Sequence, residues 1–242
     1  RDPAAPRDAE SLAAHFLRRD SGWRDRPHFF AGAADPEPTV AAIRRRAPAH
    51  EGALLAAAER ALAGRFDVLG FRELSYGDPV DWHLDPVSGR RAPASLHWSE
   101  VPYLDPDAVG DHKVVWEVNR HGHVALLAQA YRFTRDERYA RAAVAHVDAW
   151  IAANPPGLGM NWASSLEVAF RAIAWLWALE LLHDSPSLDA EFVVRALNVL
   201  YLHGRHLQRY LSTYFSPNTH LTGEALGLLY LGAALPELRR AG

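Results

Sequence analysis

From Asp111 onward the sequence repeats one pattern. Long stretches with apolar residues at helical spacing run over Val114 to Thr134, Asp136 to Ala153, Trp162 to His183, Leu188 to Ser212 and Thr219 to Leu235. The breaks between them are short and carry stop signals: Thr134-Arg-Asp136, Asn154-Pro-Pro-Gly-Leu-Gly159, Asp184-Ser-Pro186 and Ser216-Pro-Asn218. Short connections make consecutive helices antiparallel neighbours, so this half reads as a run of α-hairpins. The stretch from Ala169 to Leu182 is apolar over most of its circumference, which means burial on more than one side. That suits the inner helix of a ring of hairpins better than a flat solenoid. The longest apolar run, Ala172 to Leu179, is only eight residues, too short to span a membrane.

Residues 1–110 read as a lead-in to a helical unit at 111–242. Short helical patterns at Ala9 to Arg18, Val40 to Arg46 and Gly52 to Gly64 are joined by polar turns. From Phe71 to Asp111 the chain is turn-rich, interleaved with Trp82, His83, His97, Trp98 and Tyr103, and reads as a wrapping segment without regular structure. With 26 basic against 29 acidic residues there is no basic field of the kind nucleic acid requires. Cysteine is absent, which excludes disulfides, thiolate metal sites and a cysteine nucleophile, but fits either redox compartment. The chain begins at Arg1 with no basic-then-apolar leader, so no signal peptide is expected within it. Its eight tryptophans suit both helix packing and stacking on sugar rings.

Three constellations could carry chemistry. The loop Ser216-Pro-Asn-Thr-His-Leu-Thr-Gly-Glu-Ala225 enters a helix, putting Asn218 and His220 near free backbone N–H groups that favour an anion. Glu224, one turn after His220, could orient or charge its imidazole. The simpler alternative makes Asn218 an N-cap and His220 a satisfied core group. In the second, Glu117, Arg120 and His121 share a helix face opposite Val114, Val115 and Val118, with Trp116 and Asn119 beside it; a solvated flank and a binding face fit equally. In the third, Asn161 and Trp162 lead into a helix where Glu167 and Arg171 stand at i, i+4; an intrahelical ion pair is the plain reading and a cleft lining the sharper one. His220 with Glu224 offers only two metal ligands and no third, so neither a metal nor another cofactor is expected. Phosphate-binding, nucleophile-elbow and dinucleotide motifs are missing.

Taken in order, several motifs resemble the N-terminal α-helical domain of heparinase II/III family proteins. They are Asp81-Trp-His-Leu-Asp-Pro86, Lys113-Val-Val-Trp-Glu-Val-Asn-Arg-His121, Asn154-Pro-Pro156, Asn161-Trp162 with Glu167 and Arg171, and Ser216-Pro-Asn-Thr-His-Leu-Thr-Gly-Glu-Ala-Leu-Gly227. The resemblance runs from about Phe66 to Ala241. It implies an all-α fold, an incomplete (α/α) toroid of antiparallel hairpins, followed in the whole protein by a β-sandwich domain. It also implies a periplasmic or secreted polysaccharide lyase acting on uronic-acid chains, with Asn218 and His220 meeting the uronate carboxylate and taking part in proton transfer. A tyrosine and a sandwich histidine that complete the site would lie beyond Gly242, leaving this chain inactive by itself. Thr219 between Asn218 and His220, and the long Asp81-to-Asp111 insertion, depart from the best-known lyases.

The residues fit that chemistry independently. Elimination across C4 and C5 of a uronate needs its carboxylate neutralised, a base for the C5 proton and an acid for the leaving oxygen. Asn218 can donate from a neutral amide and His220 can donate or accept a proton. Arg120 and Arg171 are candidates for acidic sugar groups, and Trp162, Trp116 or Trp82 for stacking. Two other readings stand beside it: a toroid glycoside hydrolase using two of Glu117, Glu167 and Glu224, and a non-catalytic glycan-binding module.

Overall fold

A computed structural model describes residues 8–17, 35–214 and 217–236. Three helices open it, α1 (Ala9–Leu17), α2 (Pro36–Arg46) and α3 (Pro48–Leu62), the last two with proline in the first turn, where its missing N–H costs nothing. Six more follow after the turn-rich segment: α5 (His112–Asn119), α6 (Gly122–Thr134), α7 (Glu137–Ala153), α8 (Ser165–Leu181), α9 (Ala190–Arg209) and α10 (Thr219–Ala234). Aspartates cap three of them: Asp111 accepts from the Lys113 N–H at 2.9 Å, Asp136, which lies in an expected break, from Arg138 at 2.9 Å, and Asp189, which lies inside the expected Leu188 to Ser212 helix, from Phe192 at 2.7 Å.

Alternation along the chain sorts these helices into two layers. Helices α3, α6, α8 and α10 pack side by side, while α7 and α9 back them and α1 lies on α9. The fold is all-α in its main body, an arc of antiparallel hairpins. One buried cluster unites Trp150, Trp175 and Leu200 of the hairpins with Ala58, Phe66, Tyr76 and Trp82 from before residue 111.

The closest inner crossing depends on glycine. A Cβ at Gly227 of α10 would sit 2.7 Å from the Ala169 Cβ and 3.1 Å from its Cα, and one at Gly223 would collide with the Leu166 side chain. Gly227→Ala is therefore expected to lower the melting temperature, because overpacking against a fixed backbone costs about 1–3 kcal/mol and exceeds the gain in helix propensity. Gly52→Ala in α3, where the same position is open space, is expected to raise stability by up to about 1 kcal/mol. Thermal melts of both variants would check the opposite signs.

Two expectations need correction. The segment from Phe71 to Asp111 is not without regular structure: it completes one hairpin, β1 (Phe66–Val68) with β2 (Phe71–Leu74), and holds a second, β3 (Leu84–Asp85) with β4 (Arg90–Arg91), then a 3-10 turn at Trp98–Glu100 and the short α4 (Pro106–Val109). The buried Asp85 carboxylate organises it, accepting from Val87 N–H at 2.9 Å, Ser88 Oγ at 2.5 Å and Asp111 N–H at 2.9 Å. Nor is Val114 to Thr134 one helix. His121 adopts a left-handed conformation with φ of 59°, and the Asn119 carbonyl accepts from Arg171 at 3.2 Å, where a continuous helix would offer it to residue 123. The pattern at Arg18 extends into residues outside those described.

Candidate functional site

That corner between α5 and α6 gathers the charged candidates. Arg120 grips Glu167 at the start of α8 through two hydrogen bonds of 2.5 and 2.9 Å and reaches Glu117 at 2.8 Å. Its guanidinium lies 5.0 Å above the Phe170 ring. The Glu167 hydrogen bonds hold the Arg120 pKa above its ordinary value. Glu167 is thus paired across 47 residues with Arg120, and the expected i, i+4 pair with Arg171 is replaced by this long-range one.

Beside the corner, the faces of α3, β1, α6 and α8 enclose a hollow of about 710 Å³. Glu117, Arg120, Arg60, Arg65, Asp67, Phe170 and Trp177 line it. The last five are additions to the sequence candidates. Arg60, Arg65 and Asp67 lay in what read as lead-in, and Phe170 and Trp177 lay on a helix too apolar all round to show which side stays open.

Seven candidates for sugar contact are instead buried. Asn161 and Trp162 lie in a buried 3-10 turn, Met160–Trp162, where the Asn161 amide donates to Trp82 O at 3.1 Å and to Asn154 Oδ1 at 2.8 Å. Arg171 is fully buried, donating to Asn119 O, to Asn161 O at 3.0 Å and to His203 Nε2 at 3.3 Å, with its guanidinium 4.0 Å from the Trp150 ring centre. His121 accepts the Trp175 indole N–H on Nδ1 at 2.8 Å, so it does not extend the Glu117 and Arg120 face. The left-handed turn swings it inward. Glu224 is equally buried. Trp116, 9% exposed, donates its indole N–H to Met160 O at 3.0 Å and packs against Tyr103 and His112; Trp82 is buried.

Asn218 and His220 are different: both are exposed. Asn218 is the N-cap of α10, its Oδ1 accepting from the His220 N–H at 3.5 Å, and His220 occupies the first turn. The parallel inner helices set the N-termini of α6, α8 and α10 at one end of the arc, and Gly223 of α10 faces Leu166 and Phe170 of α8. Glu224 does not reach the imidazole; its carboxylate accepts from the Ser212 N–H at 2.7 Å and Oγ at 2.6 Å. Ser216 lies outside the described residues. Among the described residues no group of three or more His, Asp or Glu could hold a metal ion, and no helix is long and apolar enough to cross a membrane.

The family model described as Heparinase II/III N-terminus matches residues 9–242. The chain belongs to the heparinase II/III N-terminus family. Two heparin-sulfate lyases are similar to it: that of Pedobacter heparinus is 27% identical over 190 residues, covering 75% of this chain and 25% of the relative, and that of Bacteroides stercoris is 25% identical over 188 residues, covering 69% and 24%. The chain therefore spans about a quarter of the length of these heparinase II/III relatives. The crystal structure of heparan sulfate lyase HepC from Pedobacter heparinus superposes with a TM-score of 0.71 at 22% identity, over 96% of this chain and 32% of that one. The arc of hairpins is thus part of a heparinase-type (α/α) toroid, and the chain is related to polysaccharide lyases.

Proposed function

We propose that this chain is the helical part of a lyase that cleaves uronic-acid-containing polysaccharide by β-elimination, with Asn218 and His220 in its active site and the remaining groups supplied by sequence outside this chain, including a β-sandwich domain. The observation that carries the reading is the exposed Asn218 and His220 pair on the first turn of α10, at the end of the arc where the inner helices present their N-termini. The positive helix end and the Asn218 amide neutralise a uronate carboxylate, which acidifies the C5 proton. His220 takes part in the proton transfer that removes the C5 proton. The C5–H and C4–O4 bonds break, the C4=C5 double bond forms, and the leaving oxygen takes up a proton. The hollow beside Arg120 and Phe170 offers a partly charged, partly aromatic wall for the sugar chain.

The hydrolase alternative has less support. Glu117 and Glu167 are both held by Arg120, and Glu224 is enclosed with Ser212, so these carboxylates are not arranged as a free acid and base. The test is ultraviolet absorbance of unsaturated uronate released from a panel of acidic polysaccharides by the full-length protein. His220→Ala and Asn218→Ala are each expected to lower kcat by about 10²-fold or more, the contribution of a positioned acid–base or charge-stabilising group. New reducing ends without that absorbance would replace the lyase with a hydrolase. Sugar binding without turnover would make the chain part of a glycan-binding module.

A further inference from the structure

The α9–α10 connection, which carries Asn218, is tied at its base by an unusual pair. Glu224 is fully enclosed, yet no arginine or lysine among the described residues pairs with its carboxylate. Both its oxygens are instead committed to Ser212, one to the backbone N–H at 2.7 Å and one to the hydroxyl at 2.6 Å. A buried carboxylate without a cation is costly, and two short charge-assisted hydrogen bonds to one residue offset that cost only while the geometry holds. Ser212 stands just after α9 and Glu224 in the second turn of α10, so the contact closes the chain across 12 residues. A neighbouring bond from the Ser165 hydroxyl to Tyr210 O, at 2.7 Å, fixes the end of α9 to the start of α8. With Gly223 and Gly227 seating α10 against α8, the first turn of α10 is constrained on two sides.

We infer that Glu224 is a positioning residue: through Ser212 it sets the orientation of the α10 first turn, and hence of Asn218 and His220, without touching the imidazole. This rests on the lyase reading of those two residues. The same spacing along α10 would let a carboxylate charge His220 directly, and the two roles separate experimentally. A glutamine at 224 can accept from the Ser212 N–H and donate to its hydroxyl, preserving the clip while removing the charge.

Two measurements test the inference. In this chain, hydrogen exchange at the Ser212 amide reads the clip without any activity: Glu224→Ala is expected to speed it at least about 10-fold and Glu224→Gln to leave it within a few-fold of wild type, following the loss or retention of the opening free energy. Unchanged exchange in Glu224→Ala would overturn the clip. In the full-length protein, Glu224→Ala is expected to lower kcat about 10- to 10²-fold with little change in KM, the cost of a small misplacement of reacting groups. Glu224→Gln should keep most of the rate and the wild-type pH profile, and Ser212→Ala combined with Glu224→Ala should be no worse than Glu224→Ala alone. Wild-type kcat in Glu224→Ala would overturn the positioning role, as would a Glu224→Gln variant as slow as Glu224→Ala with a shifted pH optimum, which assigns Glu224 a direct charge effect on His220. A full-length wild type that releases no unsaturated product would instead overturn the lyase reading, and with it the catalytic consequence of the clip, while the exchange result on Ser212 would stand.

Discussion

Arg171→Ala is expected to remove about 3–5 kcal/mol of folding free energy. Arg171 is fully buried and its hydrogen bonds run to neutral acceptors: the carbonyls of Asn119 and Asn161 and the Nε2 of His203. Burial pulls its pKa down to about 9, with Glu167 opposing the shift, so the guanidinium remains charged at neutral pH. Both carbonyls belong to places where a helix ends or a 3-10 turn begins, and neither has a helical partner to fall back on. Alanine would strand them and leave a cavity against Trp150, over which the guanidinium is stacked at 4.0 Å. Arg171→Met separates the causes, because it fills most of the volume but donates nothing. It should still lose about 1–3 kcal/mol for each stranded acceptor. Chemical denaturation that ranks Arg171→Met equal to wild type would refute the hydrogen-bond account.

Acid should unfold this protein well above the pH at which its carboxylates titrate. His121 and His203 are completely enclosed, and burial, reinforced by neighbouring His123 and Arg171 respectively, holds both far below the ordinary imidazole value. The groups facing His121 are the indoles of Trp82, Trp150 and Trp175 together with the imidazole of His123, and those facing His203 are Trp150, Trp162, Trp175 and the Arg171 guanidinium. No carboxylate is among these neighbours to stabilise a proton. Above pH 7 the imidazoles are neutral whether the chain is folded or not, and they cost nothing. As pH falls through the unfolded value near 6.5, the unfolded chain takes up protons that the native core refuses. Stability then falls with each further pH unit for each such histidine, because the unfolded chain binds a proton that the native core does not. His206, lowered to about 4, adds to the same slope. Asp85 and Asp184, whose pKa values are held low by hydrogen bonds and, for Asp184, by Arg132, lose their contribution only at more acid pH, so the two regimes separate. Urea titrations from pH 7.5 to 4.5 should show a plateau and then a steep fall below about 6.5. A midpoint that stays constant down to pH 5 would sink the prediction.

Local features were the legible ones. Asp111 and Asp136 stand where the helical patterns begin because an N-cap bonds a residue two positions ahead, and apolar spacing announces the helices because the turn repeats every few residues. Asn218 as the cap of α10 belongs to the same class, whereas the exposure of His220 beside it was not legible, since the same residues equally allow a satisfied core imidazole. The short hairpins at 66–74 and 84–91 were hidden because strands this brief carry no alternation to read, and Asp85 holds the second by reaching forward to Asp111.

By itself, then, the sequence determined the helical class, the order of the hairpins, the family motifs and the position of Asn218 and His220 on a helix start. Only the tertiary structure decided the fate of the buried charges. Glu167 leaves Arg171 for Arg120, Arg171 goes to two carbonyls and a histidine, and Glu224 turns from His220 to Ser212. The reason is electrostatic. A side chain on a single helix has its i, i+4 neighbour as the nearest partner in water, but a group taken out of water must satisfy every polar atom. It takes whichever donors and acceptors the adjoining helices bring within reach.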